Sequence, residues 1–263
     1  MIIIGEKING TIPSVGKAVA EKDEGYIRNL AIIQSEAGSD FIDICAGVDP
    51  DIEPETLIWL IGVVQSATDV PICIDSPNPY SIKSVLGSIL KPGLVNSVSL
   101  EGEKIDVIFP LIADTEWGCI ALLCDDSGIP STIGKRLEIA REIVEKALNA
   151  KILYSRLYID PLVITLSTDG SSMSKFMECA REIKSWHPDI HITSGLSNIS
   201  YGLPARRSIN QAFLTLAMYA GMDSAIMDPT NRGMLASLLA TNALLGKDRH
   251  CRRFTTAYRD GKL

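Results

Sequence analysis

Pro71-Ile72-Cys73-Ile74-Asp75, followed closely by a helix-patterned segment from Pro79 to Leu90, is a short apolar run that ends in a carboxylate where a strand hands over to a loop. The chain repeats the device. Ile42-Asp43, Val95-Asn96, Ile159-Asp160, Ser197-Asn198 and Met227-Asp228 close five further runs in the same way. In a (β/α)8 barrel the C-terminal strand ends converge on one mouth, so residues scattered through the sequence become neighbours. One such Asp often does no more than cap the next helix. Six ends, all carboxylate or amide and none Cys or His, predict a mouth that hydrogen-bonds a flat, heteroatom-rich ligand and binds no metal of its own.

Outward from these ends the chain alternates strand and helix. Ile2 to Ile8 leads through a Gly/Pro/Ser loop to a helix with Tyr26, Leu30, Ile33 and Ala37, and Phe41 to Ala46 leads to one with Leu57, Leu60, Ile61 and Val64. Apolar positions three and four apart mark the buried faces. Leu94 to Val98 precedes a helix near Glu103 to Thr115, Cys119 to Cys124 one with Leu137, Ala140, Val144 and Ala147, and Arg156 to Ile159 one from Met173 to Trp186. Ile190 to Leu196 and Ser224 to Met227 precede helices from Ser208 to Ala220 and from Met234 to Leu244. Eight such units predict parallel pairing. The first turn lacks the GxGxxG pattern of an open dinucleotide-binding sheet, which favours closure. With 263 residues, 46% of them hydrophobic, the expected architecture is one α/β domain, a (β/α)8 TIM barrel over residues 1–263. The basic tail, Lys247 to Leu263, is expected to be a solvated segment or a subunit contact.

A net charge of -7 provides no electrostatic footprint for nucleic acid or an anionic membrane. The N-terminus, Met1-Ile2-Ile3-Ile4-Gly5, has no basic leader and reads as a first strand, and no run approaches the length of a membrane span. Six cysteines are spread without a CxxC pair, which fits reduced core residues of a cytoplasmic protein. The three histidines are placed away from the mouth: His187 at a helix exit, His191 at the start of a strand, His250 in the tail. Ser197 has no GxSxG context, and no strand shows an inward Lys at its centre for Schiff-base chemistry. An amide and carboxylate set remains, suited to binding and to electrostatic stabilisation of a transferred group.

At the strand ends the chain resembles a known family. Gly5-Glu6-Lys7-Ile8-Asn9-Gly10, Ala37 to Asp43, Cys73 to Ser76, Val95-Asn96-Ser97, Tyr158 to Leu162 and Gly195 to Ser200 are similar, in order, to the motifs of the pterin-binding barrels. The nearest resemblance is to the methyltetrahydrofolate:corrinoid protein methyltransferases. It implies a pterin held by Asp75, Asn96 and Asp160, with Gly195, Ser197 and Asn198 along its reactive side. A pterin's pyrimidine edge offers an amino group beside a ring N–H, which two carboxylate oxygens match, while an Asn donates and accepts at once. The reaction implied is methyl transfer between N5 of tetrahydrofolate and the cobalt of a corrinoid. Tetrahydrofolate or 5-methyltetrahydrofolate is then the substrate, and cobalamin arrives on a partner corrinoid protein. Asn198 would hydrogen-bond N5 as the catalytic group, Arg206 would meet the p-aminobenzoyl-glutamate tail, and the chain would form a homodimer. Tyr201 stands where the family often has Gln, so the loop over the mouth is this chain's own.

Two rivals remain at this stage. Dihydropteroate synthase shares the barrel and the pterin pocket, but it needs a basic cluster for a diphosphate leaving group. Gly195-Leu196-Ser197-Asn198-Ile199-Ser200 and Met227-Asp228-Pro229 offer none. The other rival is a non-catalytic folate-binding subunit, which the presence of Asn198 disfavours.

Overall fold

A computed structural model describes residues 1–263. The strands are β1 (Ile2–Asn9), β2 (Phe41–Cys45), β3 (Ile72–Asp75), β4 (Leu94–Leu100), β5 (Gly118–Asp125), β6 (Leu157–Asp160), β7 (His191–Ile192) and β8 (Ser224–Met227). Between and after them run α1 (Pro13–Ala20), α2 (Glu24–Glu36), α3 (Glu53–Ala67), α4 (Pro79–Val85), α5 (Lys104–Ile112), α6 (Ile133–Asn149), α7 (Ser172–Trp186), α8 (Arg206–Tyr219), α9 (Arg232–Leu244) and α10 (Arg252–Arg259). All neighbouring strands pair in parallel, in the order β7-β6-β5-β4-β3-β2-β1-β8. The ends of that series meet. Gly195 bridges Ile226 in parallel, and the Ile226 N–H donates to the Ser194 carbonyl at 3.0 Å, closing the barrel.

Side chains alternate between the two faces of a strand, and that period sorts this barrel into layers. Outward-facing residues such as Ile42, Ile44, Ile72 and Ile74 join the large core between sheet and helices. Inward, Ile4, Cys73, Leu94, Ile120 and Tyr158 form a second cluster, against which Phe41, Leu122 and Ile226 pack. Two residues further along each strand, one step nearer the mouth, the inward positions become Glu6, Asp43, Asp75, Asn96, Leu122, Asp160 and Asp228. The barrel is therefore plugged with apolar side chains below and lined with polar ones above.

Three segments differ from the sequence reading. The first loop contains a helix, α1, which Pro13 initiates and whose Val15, Ala18 and Val19 are buried at helical spacing. The seventh strand is regular only over His191–Ile192, although the Thr193 N–H still donates to the Ile159 carbonyl and the Ser194 carbonyl accepts from Ile226 before the 3-10 helix over Leu196–Ser200. The basic tail is folded as well. The Asp248 carboxylate accepts the N–H groups of Arg253 and Phe254, each at 3.0 Å, and so caps α10, whose Ala257 is buried. No helix is long and apolar enough to cross a membrane.

Candidate functional site

The C-terminal mouth encloses a cavity of about 640 Å³, lined by Glu6, Lys7, Asp43, Asp75, Asn96, Gly195, Ser197, Asn198, Arg206 and Asp228, among others. That volume suits a ligand of cofactor size. Of the seven residues singled out by the sequence, six line this cavity. Asp160 is buried at its edge. No group of three or more His, Cys, Asp or Glu side chains is arranged to hold a metal ion.

The far wall is built from adjacent strand ends in register: Cys45 beside Asp75, and Asp75 beside Asn96. The Asn96 Nδ2 donates to Asp43 Oδ1 at 3.2 Å, which orients the amide and leaves its oxygen as an acceptor. Cys73 stands beside Asp43 and Cys45 beside Asp75 in the strand register, so each carboxylate has a thiol for its neighbour. Burial, with the negative charge of Asp75 added, pushes the Asp43 carboxyl well above the usual carboxylate range. Burial also raises Asp75 to about 6, against the pull of the Cys45 thiol and with the Glu53 charge adding to the rise.

Asp160 ends β6 and organises the turn that follows. Its Oδ1 accepts the Leu162 N–H at 2.8 Å, and the carboxylate also receives the Gly195 N–H. Burial lifts it to about 6, although these two N–H groups and the Arg136 charge oppose the rise. Arg136 on α6 is fully buried and donates to the carbonyls of Pro161 and Leu162, each at 2.7 Å, and to that of Pro130 at 3.0 Å. The sequence reading missed this clamp. Its signal was an Arg at helical spacing from the apolar Ile139, Ala140 and Ile143.

The near wall comes from β1, β8 and the segment after β7. Asn198 is exposed to the cavity. A Cβ on Gly195 would approach its Nδ2 to 2.9 Å, so only glycine leaves the amide where it stands. Arg206, at the start of α8, donates to the Ser197 carbonyl at 2.7 Å and the Ser200 Oγ at 3.1 Å. Two of its donor groups therefore brace the 3-10 turn. Lys7 Nζ pairs with Asp228 Oδ2 at 3.0 Å, while Asp228 Oδ1 accepts the N–H and hydroxyl of Thr230. Burial would raise the Asp228 carboxyl, but the Thr230 and Lys7 contacts outweigh it and hold it low. Glu6 differs from it. Burial and the adjacent Asp228 charge lift Glu6 to about 7, in spite of Arg206, the Asp228 N–H and Lys7. Glu6 was also missed by the sequence reading as a site residue, because β1 runs on to Asn9 and hides it within a strand.

The chemistry on offer is a row of carboxylate acceptors together with amide groups, Asn198 among them, around an open mouth. A family model described as pterin binding enzyme matches residues 6–228. The methylcorrinoid:tetrahydrofolate methyltransferase of Eubacterium limosum is 53% identical over 265 residues, covering 100% of this chain and 98% of that protein. The methionine synthase of Mycobacterium tuberculosis is 28% identical over 240 residues; the match takes in 86% of this chain but only 20% of that longer protein. Among solved structures, the dihydropteroate synthase of Burkholderia cenocepacia complexed with 7,8-dihydropteroate superposes with a TM-score of 0.67 at 17% identity, covering 95% of this chain and 93% of that one. That of Xanthomonas albilineans in complex with 7,8-dihydropteroate gives 0.66 at 19% identity, covering 93% and 92%. These two establish the likeness of fold alone.

Proposed function

This chain belongs to the pterin-binding enzymes, in the family of the methylcorrinoid:tetrahydrofolate methyltransferases, and from that premise we infer that its mouth moves a methyl group between the cobalt of a partner's corrinoid and N5 of tetrahydrofolate. One observation carries the reading. Asp75 and Asn96 stand side by side on one wall of the mouth, with Asp160 buried at its edge, and the Asn198 amide is exposed on the wall that follows β7. A donor-rich pyrimidine edge on the first places the opposite ring of the pterin, with N5, toward the second. Residues 1–263 then act as one catalytic unit. The corrinoid comes from another protein, and the cobalt must approach N5 in line through the open mouth, since displacement depends on alignment. A dihydropteroate synthase reading has less support. It needs a cluster of free cations for a diphosphate, whereas Lys7 is paired with Asp228 and Arg206 braces the Ser197 turn, which leaves Arg207 as the one lining cation without such a partner.

In this reading Gly195 and Ser197 form the reactive side of the pterin site, and the remaining N–H groups of Arg206 meet the glutamate tail. Exposed Leu216, Tyr219 and Leu244 on the packed helices α8 and α9 support a homodimer. Free cysteines throughout support a cytoplasmic setting. The test of function is direct. Protein mixed with 5-methyltetrahydrofolate and free cob(I)alamin should generate the methylcobalamin absorbance, and methylcobalamin with tetrahydrofolate should lose it. No change in either mixture would overturn the reading.

Two binding predictions follow from the acceptor wall. Asp160→Asn turns one acceptor oxygen into a donor facing the Gly195 or Leu162 N–H, so tetrahydrofolate affinity should weaken by about 1 to 3 kcal/mol, the scale of an unsatisfied charge-assisted hydrogen bond. An unchanged dissociation constant in calorimetric titration would remove Asp160 from the site. The second prediction concerns pH. Asp75 and Asp160 titrate near 6 in the free protein, and donors on the ligand require the ionised carboxylates. Affinity should thus hold above pH 7 and fall as pH drops through 6, by roughly tenfold per unit for each carboxylate that must shed a proton. Titrations from pH 5 to 8 showing constant affinity would contradict it.

A further inference from the structure

Methylation of a secondary amine leaves a proton to be removed. The N5 lone pair forms the N–C bond as the Co–C bond breaks, and the departing pair stays on cobalt, which goes from Co(III) to Co(I). N5 then bears both its new methyl group and its old hydrogen, so one proton has to leave. Asn198 cannot take it, since an amide does not titrate in this range.

The remaining groups of the mouth can be taken in turn. Asp75, Asn96 and Asp160 face the pyrimidine edge. Asp43 is buried and engaged with the Asn96 amide. Asp228 is held by Lys7 and by both donors of Thr230. Of the lining carboxylates that then remain, Glu6 is held by no salt bridge: Lys7 points to Asp228, and Arg206 to Ser197 and Ser200.

Its position also suits the task. Gly195 bridges Ile226 of β8, and Met227 of β8 pairs with Gly5 of β1. Gly195 and β1 are therefore two interstrand spacings apart, roughly 10 Å between backbones, and Asn198 follows Gly195 on the same wall by one 3-10 turn. The Glu6 and Asn198 side chains both point to the cavity between, which is where N5 lies if Asn198 contacts it.

We propose that Glu6 accepts the N5 proton when tetrahydrofolate is methylated and returns it when 5-methyltetrahydrofolate gives up its methyl group. The groups facing Glu6 are Asp228 from β8, Lys7 from its own strand, Arg206 from α8 and Asp43 from β2. Their opposing charges, together with burial, leave it titrating near neutrality, where a single group serves as base in one direction and acid in the other.

The inference rests on the methyl-transfer reading, and its test separates the two. Single-turnover rates are measured for methylcobalamin with saturating tetrahydrofolate, and for cob(I)alamin with saturating 5-methyltetrahydrofolate, from pH 5.5 to 8.5. In the unmutated protein the first rate should rise through about pH 7 and the second should fall over the same range. Glu6→Gln should remove both limbs and lower the optimal rate by about 10², while calorimetry finds folate affinity within about threefold of the original, well short of that loss. Glu6→Asp should restore part of the pH dependence. A Glu6→Gln protein with the original profile, or one whose folate affinity falls as far as its rate, overturns the assignment. An unmutated protein inactive in both directions overturns the methyl-transfer reading, and this inference with it.

Discussion

Asn198→Ala is expected to slow single-turnover methyl transfer by about 10² to 10³, the loss found when one preorganised donor is removed from an oxyanion-type site, or roughly 2.7 to 4 kcal/mol of transition-state stabilisation. In the proposed reading the amide faces N5, where charge changes, and its placement is fixed from two sides. The 3-10 turn that carries it is braced by Arg206 on Ser197 and Ser200, and the missing Cβ of Gly195 leaves room for its Nδ2. Such preorganisation acts mainly in the transition state, so the rate should fall more than the affinity for tetrahydrofolate. Stability should hardly change, because the side chain is exposed to the cavity. The deciding measurement uses cob(I)alamin with saturating 5-methyltetrahydrofolate. A rate within about threefold of the unmutated protein, far from that expected loss, would reduce Asn198 to a lining residue.

Most of the fold was legible because two periods carry it. Apolar spacing of three and four marked the barrel helices, and short runs ending in Asp or Asn marked the strand ends. Six of those ends do face one mouth or its edge, since the strand period of two sets Asp43, Asp75, Asn96, Asp160 and Asp228 directly above an inner apolar layer. What stayed hidden lacks a boundary in the sequence. Glu6 sits inside β1, where only its place two residues beyond inward-facing Ile4 betrays it. In α1, buried Val15, Ala18 and Val19 are masked by the Gly, Pro and Ser around them. The functions of Asp228 and Arg206 are decided by partners distant in sequence, Lys7 in one case and the Ser197 turn in the other. Residue type at a strand end can suggest a site, but the engagement of each donor and acceptor is tertiary information.

Arg136 shows how far that tertiary dependence reaches, and Arg136→Met is expected to cost about 3 to 5 kcal/mol of stability. A Met keeps much of the buried stem's volume, so the substitution chiefly removes donors. The carbonyls of Pro130, Pro161 and Leu162 would then lose the guanidinium that satisfies them in a buried setting, at about 1 to 3 kcal/mol for each group left without a partner. Leu162 adds to the demand. Its backbone is left-handed, with φ of 62°, a conformation that costs a branched residue about 1 to 3 kcal/mol and persists only where its surroundings enforce it. The same turn supplies the Leu162 N–H that orients Asp160. Loosening it should therefore weaken tetrahydrofolate binding as well, although Arg136 reaches no ligand. Urea unfolding of both proteins, with the slopes compared to confirm that the same surface is exposed, measures the first effect and calorimetry the second. A stability loss under about 1 kcal/mol, no more than a single ordinary hydrogen bond contributes, would mean that the turn is held by its own sequence and that the clamp on α6 is incidental to the site.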